Sequence, residues 1–183
     1  MPGLQVIALI SGGKDSLFSI LHCLANGHTV VALANLYPPP PPGADPAAPV
    51  SETDDLDSYM YQTVGHSLIP LYETALGIPL YRHPIRGRAI NTNKTYEPAP
   101  APAPPPTDPS SPAAADPADA DADETESLLP LLAHILAHHP TASALSTGAI
   151  LSTYQRTRID SISTRLGLVP LAYLWQYPLL PPH

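Results

Sequence analysis

The sequence predicts a doubly wound α/β fold, a five-stranded parallel sheet with helices on both faces, and three observations carry that expectation. Short unbroken apolar runs alternate with segments whose apolar residues recur at helical spacing. A glycine pair separates the first such run from the first such segment. Two proline-rich stretches stand apart from this alternation and read as inserts.

Val6-Ile-Ala-Leu-Ile10 is a continuous apolar run stopped by Ser11-Gly-Gly13, as expected of a strand buried on both faces. Leu17, Ile20, Leu21 and Leu24 then mark a helix that Asn26-Gly27 ends, and Thr29 to Leu36 is a second strand, which completes a βαβ unit. The first insert covers residues 38–53. Leu56, Met60, Val64 and Leu68 lie on one face of a helix, and Pro70, which lacks an amide donor, either kinks it or begins a second helix before Gly77. Pro79 to His83 is a short third strand, and Ile85 to Tyr96 is polar and basic.

Residues 97–123 are almost wholly Pro, Ala, Asp and Ser, a composition that cannot bury enough apolar surface to offset the entropy of ordering it. A disordered linker is therefore expected there. Leu128, Leu131, Leu132, Ile135 and Leu136 mark the next helix, Ala144 to Ser146 a fourth strand, Thr153 to Leu166 a helix and Val169 to Tyr173 a fifth strand. Residues 1–176 are thus expected to form one domain carrying both inserts, with 177–183 as a tail; about 140 residues remain once the inserts are set aside, an ordinary domain size.

The formal charge of −8 argues against an anionic partner until its distribution is considered. Five carboxylates lie between Asp45 and Asp57 and seven between Asp108 and Glu126, while all eight Lys and Arg lie elsewhere, with only four carboxylates among them. The body of the chain is therefore net positive and suited to a phosphate-bearing ligand. A single cysteine, Cys23, excludes an internal disulfide and a zinc site of several thiolates, and fits a reducing compartment. The longest early apolar run is far short of the roughly 20 residues of a membrane span, and no basic segment precedes it as in a signal peptide, so a cytoplasmic protein without a membrane partner is expected.

Ser11-Gly-Gly-Lys-Asp-Ser16 follows a strand and opens a helix. Two glycines allow close backbone approach, a helix start presents unpaired N–H groups and partial positive charge, Lys14 adds a full charge, and Ser11 and Ser16 supply hydroxyls. The glycine-to-lysine spacing is wrong for G-x-x-x-x-G-K-[ST]. The motif S-G-G-x-D-S in a βαβ unit instead resembles the PP-loop ATP pyrophosphatases, of the adenine nucleotide alpha hydrolase-like type. Leu56-Asp-Ser-Tyr-Met-Tyr-Gln-Thr-Val-Gly-His66, Pro79-Leu-Tyr-Arg82, Ile85-Arg-Gly-Arg88, Gly148-Ala-Ile-Leu-Ser-Thr-Tyr-Gln-Arg156 and Pro170-Leu-Ala-Tyr-Leu-Trp-Gln176 narrow the likeness to the diphthine–ammonia ligase family.

That resemblance implies an ATP-dependent amidation. The carboxylate of diphthine, a modified histidine of translation elongation factor 2, becomes an acyl-adenylate and is captured by ammonia, with AMP and pyrophosphate released. Lys14 and the amides of Gly12 and Gly13 would bind the β- and γ-phosphates, and Asp15 either holds Mg²⁺ or caps the helix. Ala34, Asn35 and Leu36 end the second strand where the superfamily usually holds adenine, although Asn35 equally suits a loop start. Gly148 marks a close approach of the fourth strand to ligand.

Tyr59, Gln62 and His66 share a helix face that is either solvated or in contact with substrate, and the resemblance favours contact. Arg82, Arg86 and Arg88 are a basic cluster apt for phosphate or carboxylate, or surface arginines. Ser152 with Gln155 three residues on fits a capping box, so a structural role is expected for Ser152. Arg158, one turn beyond Tyr154, is a candidate catalytic cation that would reach triphosphate or carboxylate; Gln155 and Arg156 join Arg86 as candidate substrate contacts. Related sequences tend to have Asp where Thr153 stands, which removes any acidic role there. Glu124 and Glu126 stand where the family has an acidic pair before a Leu-rich helix, with helix-dipole stabilisation the simpler reading over Mg²⁺ ligation. His134, His138 and His139 lack the Glu or Cys that would accompany a metal site and read as a solvated face.

Two other functions remain open from sequence. A tRNA-modifying relative fits less well, because one cysteine argues against sulfur chemistry and no extended basic, aromatic-rich tract suggests a stable nucleic-acid partner. A nucleotide-binding fragment without catalysis is the stronger rival, since no segment here matches the further substrate subdomain the resemblance implies.

Overall fold

The computed structural model describes residues 3–39, 60, 68–97 and 122–179. Its elements are β1 (Gln5–Leu9), α1 (Lys14–Ala25), β2 (Thr29–Tyr37), α2 (Pro70–Leu76), β3 (Leu80–Pro84), α3 (Leu128–His138), β4 (Ala144–Ser146), α4 (Thr153–Arg165) and β5 (Val169–Leu171). Short 3₁₀ helices at Glu124–Ser127 and Tyr177–Leu179 complete them. All strand pairs are parallel, in the order β3-β2-β1-β4-β5, so the expected α/β architecture is present.

Alternation along the strands divides the core into two layers. Ile7, Ala32, Ala34 and Leu36 face Leu128, Leu131, Leu132 and Ile135 of α3 and Ile159 and Ile162 of α4. Val6, Ala8, Ile10, Val30 and Leu33 pack instead with Ile20 and Cys23 of α1 and with Ile69. Both faces of β1 are therefore covered, which is why its sequence is apolar without alternation. A register shift between Val6 and Ile7 lets Val6 pair with Val30 and Ile7 with Ala32.

Local chemistry explains the helix ends. Pro70 occupies the first turn of α2, where its missing N–H costs nothing, and Gly77 closes the helix at φ 65°. Pro70 thus begins α2; the helix expected over Leu56 to Leu68 lies, apart from Met60 and Leu68, outside the described residues. Ser152 caps α4, its hydroxyl accepting from the Gln155 amide at 3.2 Å. The reciprocal half of a capping box is not made, because the Gln155 side chain reaches Met60. Ser152→Ala should therefore lower stability by about 1 kcal/mol, read as a shift in the urea midpoint.

The fold departs from sequence expectation in several places, β5 for one ending at Leu171 and not Tyr173. Asn35 starts no loop: β2 continues to Tyr37 and holds it 4% exposed in mid-strand. The second insert ends earlier than position 123, because the Asp123 carboxylate accepts from the amides of Ile90, Asn91 and Thr125 and thereby organises the 3₁₀ turn before α3. The remainder of both inserts lies outside the described residues, apart from Pro38, Pro39, Glu97 and Ala122. In the expected tail, Tyr177 sets its ring edge against Phe18. No described helix is long and apolar enough to cross a membrane.

Candidate functional site

Because β1 lies between β2 and β4, the loops leaving the carboxyl ends of these strands diverge and leave a crevice at the topological switch point. A cavity of about 280 Å³ opens there. Leu9, Ile10 and the Ser11–Ser16 loop come to it from β1, Ala34, Asn35 and Leu36 from β2, and Thr147, Gly148, Ala149 and Ile150 from β4.

The loop is organised from within. Ser16 donates through its hydroxyl to the Gly13 carbonyl at 2.9 Å and accepts from the Ser11 amide at 3.4 Å, which closes the turn over the start of α1. Gly12 has φ 80°, a conformation that costs an L-residue with a side chain roughly 1 kcal/mol or more. Gly13 is the N-cap and offers no side-chain bond to the helix. Among the described residues the amides of Gly12, Gly13, Lys14 and Asp15 have no acceptor, so the positive end of α1 presents free donors.

Asp15 does not cap α1; the residue belongs to the cavity lining and its carboxylate stands 3.3 Å from the Lys14 ammonium. Both groups remain exposed, the Lys14 side chain at 89%, so this pair is a loose surface contact that an arriving anion can replace. Lys14 and Gly12 stand outside the lining set, at the loop itself, whereas Ser11, Gly13, Asp15 and Ser16 belong to it.

Beneath the loop, α1 and β4 are pinned together. Ser19 shares a 2.7 Å hydroxyl hydrogen bond with Ser146 and donates to the Thr147 carbonyl, and the Cys23 thiol donates to Ser146 at 3.5 Å. Burial pushes the Cys23 thiol up from its ordinary value, only partly offset by the Ser146 bond, so it remains a protonated core group and not a nucleophile. Gly148 sits directly against the α1 start: a Cβ there would lie 2.7 Å from the Ser16 amide nitrogen. Its smallness serves backbone packing under the loop as well as the cavity wall.

Asn35 uses both ends of its amide in protein, donating to the Ile10 carbonyl at 2.9 Å and accepting from Arg82 Nε at 3.0 Å. Arg82 also lies over the Tyr37 ring, and burial lowers its pKa from the ordinary arginine value against the opposing influence of Tyr37. The far wall is formed by Met60, Leu128, Gln155 and Ile159. Met60 is held through its backbone, its amide donating to the buried Glu124 carboxylate at 3.1 Å and its carbonyl accepting from Gln155 at 3.1 Å. Sequence reasoning assigned none of Met60, Leu128, Thr147, Ala149 or Ile159 to a site. For Thr147 and Ala149 the usable signal was position, since residues just beyond strand ends line such crevices; Met60, Leu128 and Ile159 reach the cavity only through tertiary packing.

Several expected site residues lie elsewhere. Arg158 is fully buried and absent from the cavity lining; Nη1 donates to the carbonyls of Asn93 at 3.2 Å and Tyr154 at 3.1 Å, Nη2 donates to that of Asn91, and the guanidinium lies over the Tyr96 and Tyr154 rings. Arg156 pairs with Asp160 at 2.7 Å and lies over Trp175. Arg86 joins the chain start of α3, its amide donating to the Ser127 hydroxyl, and does not line the cavity. Tyr59, Gln62 and His66 lie outside the described residues.

The acidic pair stands in the first turn of the 3₁₀ helix that leads into α3, as the helix-dipole reading expects, and both carboxylates are also engaged by protein. Glu124 holds Met60, and Glu126 makes a two-point ion pair with Arg165 at 2.9 Å while accepting from Tyr96 at 2.6 Å. Burial first, then the Glu126 carboxylate, raises the Tyr96 pKa, so this phenol stays a donor. His134, His138 and His139 surround the Tyr81 ring, and His139 shares a 3.0 Å hydrogen bond with its hydroxyl. No group of three or more His, Cys, Asp or Glu among the described residues is arranged to hold a metal.

No family model matches the chain. Over 94% of its length it is similar to curated proteins named diphthine–ammonia ligase: 44% identical across 173 residues to that of Schizosaccharomyces pombe, and 43% identical to those of Danio rerio and Homo sapiens. The chain spans 56% of the length of the Danio rerio relative, 54% of the Homo sapiens one and 23% of the Schizosaccharomyces pombe one. The resemblance read from the sequence motifs is therefore borne out across nearly the whole chain.

Proposed function

We propose that this chain provides the ATP-binding part of a diphthine–ammonia ligase, acting on diphthine of elongation factor 2. The observation that carries the reading is the set of free amides at the start of α1, opening beside Asp15 onto a cavity at the sheet's switch point. Similarity to ligases over 94% of the chain supports the chemistry.

The substrate carboxylate attacks the α-phosphorus of ATP and the bond to the bridging oxygen of the β-phosphate breaks, so pyrophosphate leaves with that electron pair. Ammonia then adds to the acyl carbon, AMP departs with the oxygen that linked them, and the surplus proton passes to water. A carboxylate is a poor electrophile, and adenylation gives it a good leaving group. The protein's part is positioning and charge stabilisation. The amides of Gly12 and Gly13 and the Lys14 ammonium hold the departing pyrophosphate, while the apolar wall of Leu36, Met60 and Ile159 suits a base. Asp15, the one acidic residue in the lining among the described residues, would be the protein ligand of a Mg²⁺ brought with ATP, an ion that takes few protein ligands. Bound there, Mg²⁺ would neutralise charge on the leaving pyrophosphate.

Exchange of labelled pyrophosphate into ATP, with elongation factor 2 bearing diphthine, tests this. Exchange that depends on the factor is expected, and exchange that depends on tRNA would transfer the chain to the tRNA-modifying enzymes. Lys14→Ala should weaken ATP binding by about 10- to 100-fold, the equivalent of one charge-assisted hydrogen bond. A second reading is nucleotide binding without amidation. ATP binding with no exchange would select it.

A further inference from the structure

We infer that Tyr72 is a positioning residue for the phosphate-binding loop, an inference that rests on the proposed ATP site. Tyr72 lies on α2, packs against the core layer on the α1 side of the sheet, and is absent from the cavity lining. Its hydroxyl donates to the Gly12 carbonyl at 2.9 Å.

A trans peptide is planar, and its C=O and N–H point in opposite directions. Holding the Gly12 oxygen towards Tyr72 therefore aims the Gly13 N–H the other way, and Gly13, unlike Gly12, lines the cavity. That amide is one of those left without an acceptor among the described residues. With two glycines in succession, and no side chain on either to restrict rotation, this peptide plane would otherwise turn at little cost.

The neighbouring contact acts in the same sense. Ile69, fully buried beside α2, places Cδ1 2.8 Å from where a Cβ on Gly12 would be, so the loop is braced from the same side by packing and by a hydrogen bond. Tyr72 is half-buried against the core layer that includes Ile69, which keeps the ring in place when the hydroxyl is removed.

The test is calorimetry on the 183-residue chain with Mg²⁺, comparing pyrophosphate, ATP and AMP for the wild type and Tyr72→Phe. The variant should bind pyrophosphate and ATP about 3- to 10-fold more weakly, as expected for one misdirected amide, with AMP binding and the urea midpoint unchanged. Pyrophosphate affinity equal to wild type overturns the inference alone. An equal loss for AMP also overturns it, because a general loosening of the site would explain that result. A wild-type chain that binds neither pyrophosphate nor ATP removes the phosphate-site reading itself, and the role of Tyr72 with it.

Discussion

Alanine at position 148 should abolish tight ATP binding and destabilise the fold at the same time. The added Cβ would sit 2.7 Å from the Ser16 nitrogen and 2.8 Å from both the Asp15 carbonyl carbon and the Ser16 Cα. These are backbone atoms of the first turn of α1, so no side-chain rotation relieves the clash. Either β4 and its loop retreat or the helix start moves, and α1 is tied to β4 just below through Ser19, Ser146 and Thr147. Overpacking of this kind costs about 1–3 kcal/mol. The displaced turn carries the amides and Asp15 that face the cavity, and a shift of even half an ångström spoils the shared geometry of several donors. Urea denaturation should show the loss of stability, and titration of ATP at a denaturant-free temperature where the variant remains folded should show affinity at least about tenfold weaker. Affinity and stability both at wild-type level would mean that the loop is not seated on β4 in this way.

Most of the architecture was legible in the sequence because its signals are local. An apolar run such as Val6 to Ile10 needs no partner to be read as a buried strand, and Gly77 or Ser152 announces a helix boundary by its own backbone or hydroxyl chemistry. The Ser11–Ser16 loop was legible for the same reason, since strand, glycines and helix start are contiguous. What escaped were the assignments decided by a distant partner. Asp123 looked like one more acid in a Pro/Ala/Asp run, and only the approach of Ile90 and Asn91 turns its carboxylate into a turn-former. Glu124 reads as a helix-dipole residue and stands in such a first turn, but that its carboxylate also accepts from the Met60 amide, 64 positions away in sequence, is not a local signal. Met60 read as one more residue of an apolar helix stripe, and its place on the cavity wall depends on that carboxylate and on Gln155.

Arg158 is the sharpest instance, and replacing it should separate a catalytic cation from a structural one. Arg158→Leu removes the donors that hold the carbonyls of Asn91, Asn93 and Tyr154 and the stacking between the Tyr96 and Tyr154 rings, and it does so at a side chain that is itself fully buried beneath a partly exposed segment. Several charge-assisted hydrogen bonds and two ring contacts are lost together, so a loss of about 2–4 kcal/mol is expected, visible in the urea midpoint. Arg158→Lys should recover only part of it, because a single ammonium cannot reproduce a planar fork that serves several acceptors. Hydrogen exchange should locate the damage: the Ile90 and Asn91 amides, held by Asp123, would lose protection once the carbonyl side of their segment is released. ATP affinity of the folded variant should fall less than in Lys14→Ala, since the guanidinium faces the 90–96 segment and not the cavity. The opposite pattern, full stability with ATP binding or exchange abolished, would return Arg158 to the reaction and require it to leave three carbonyls to get there.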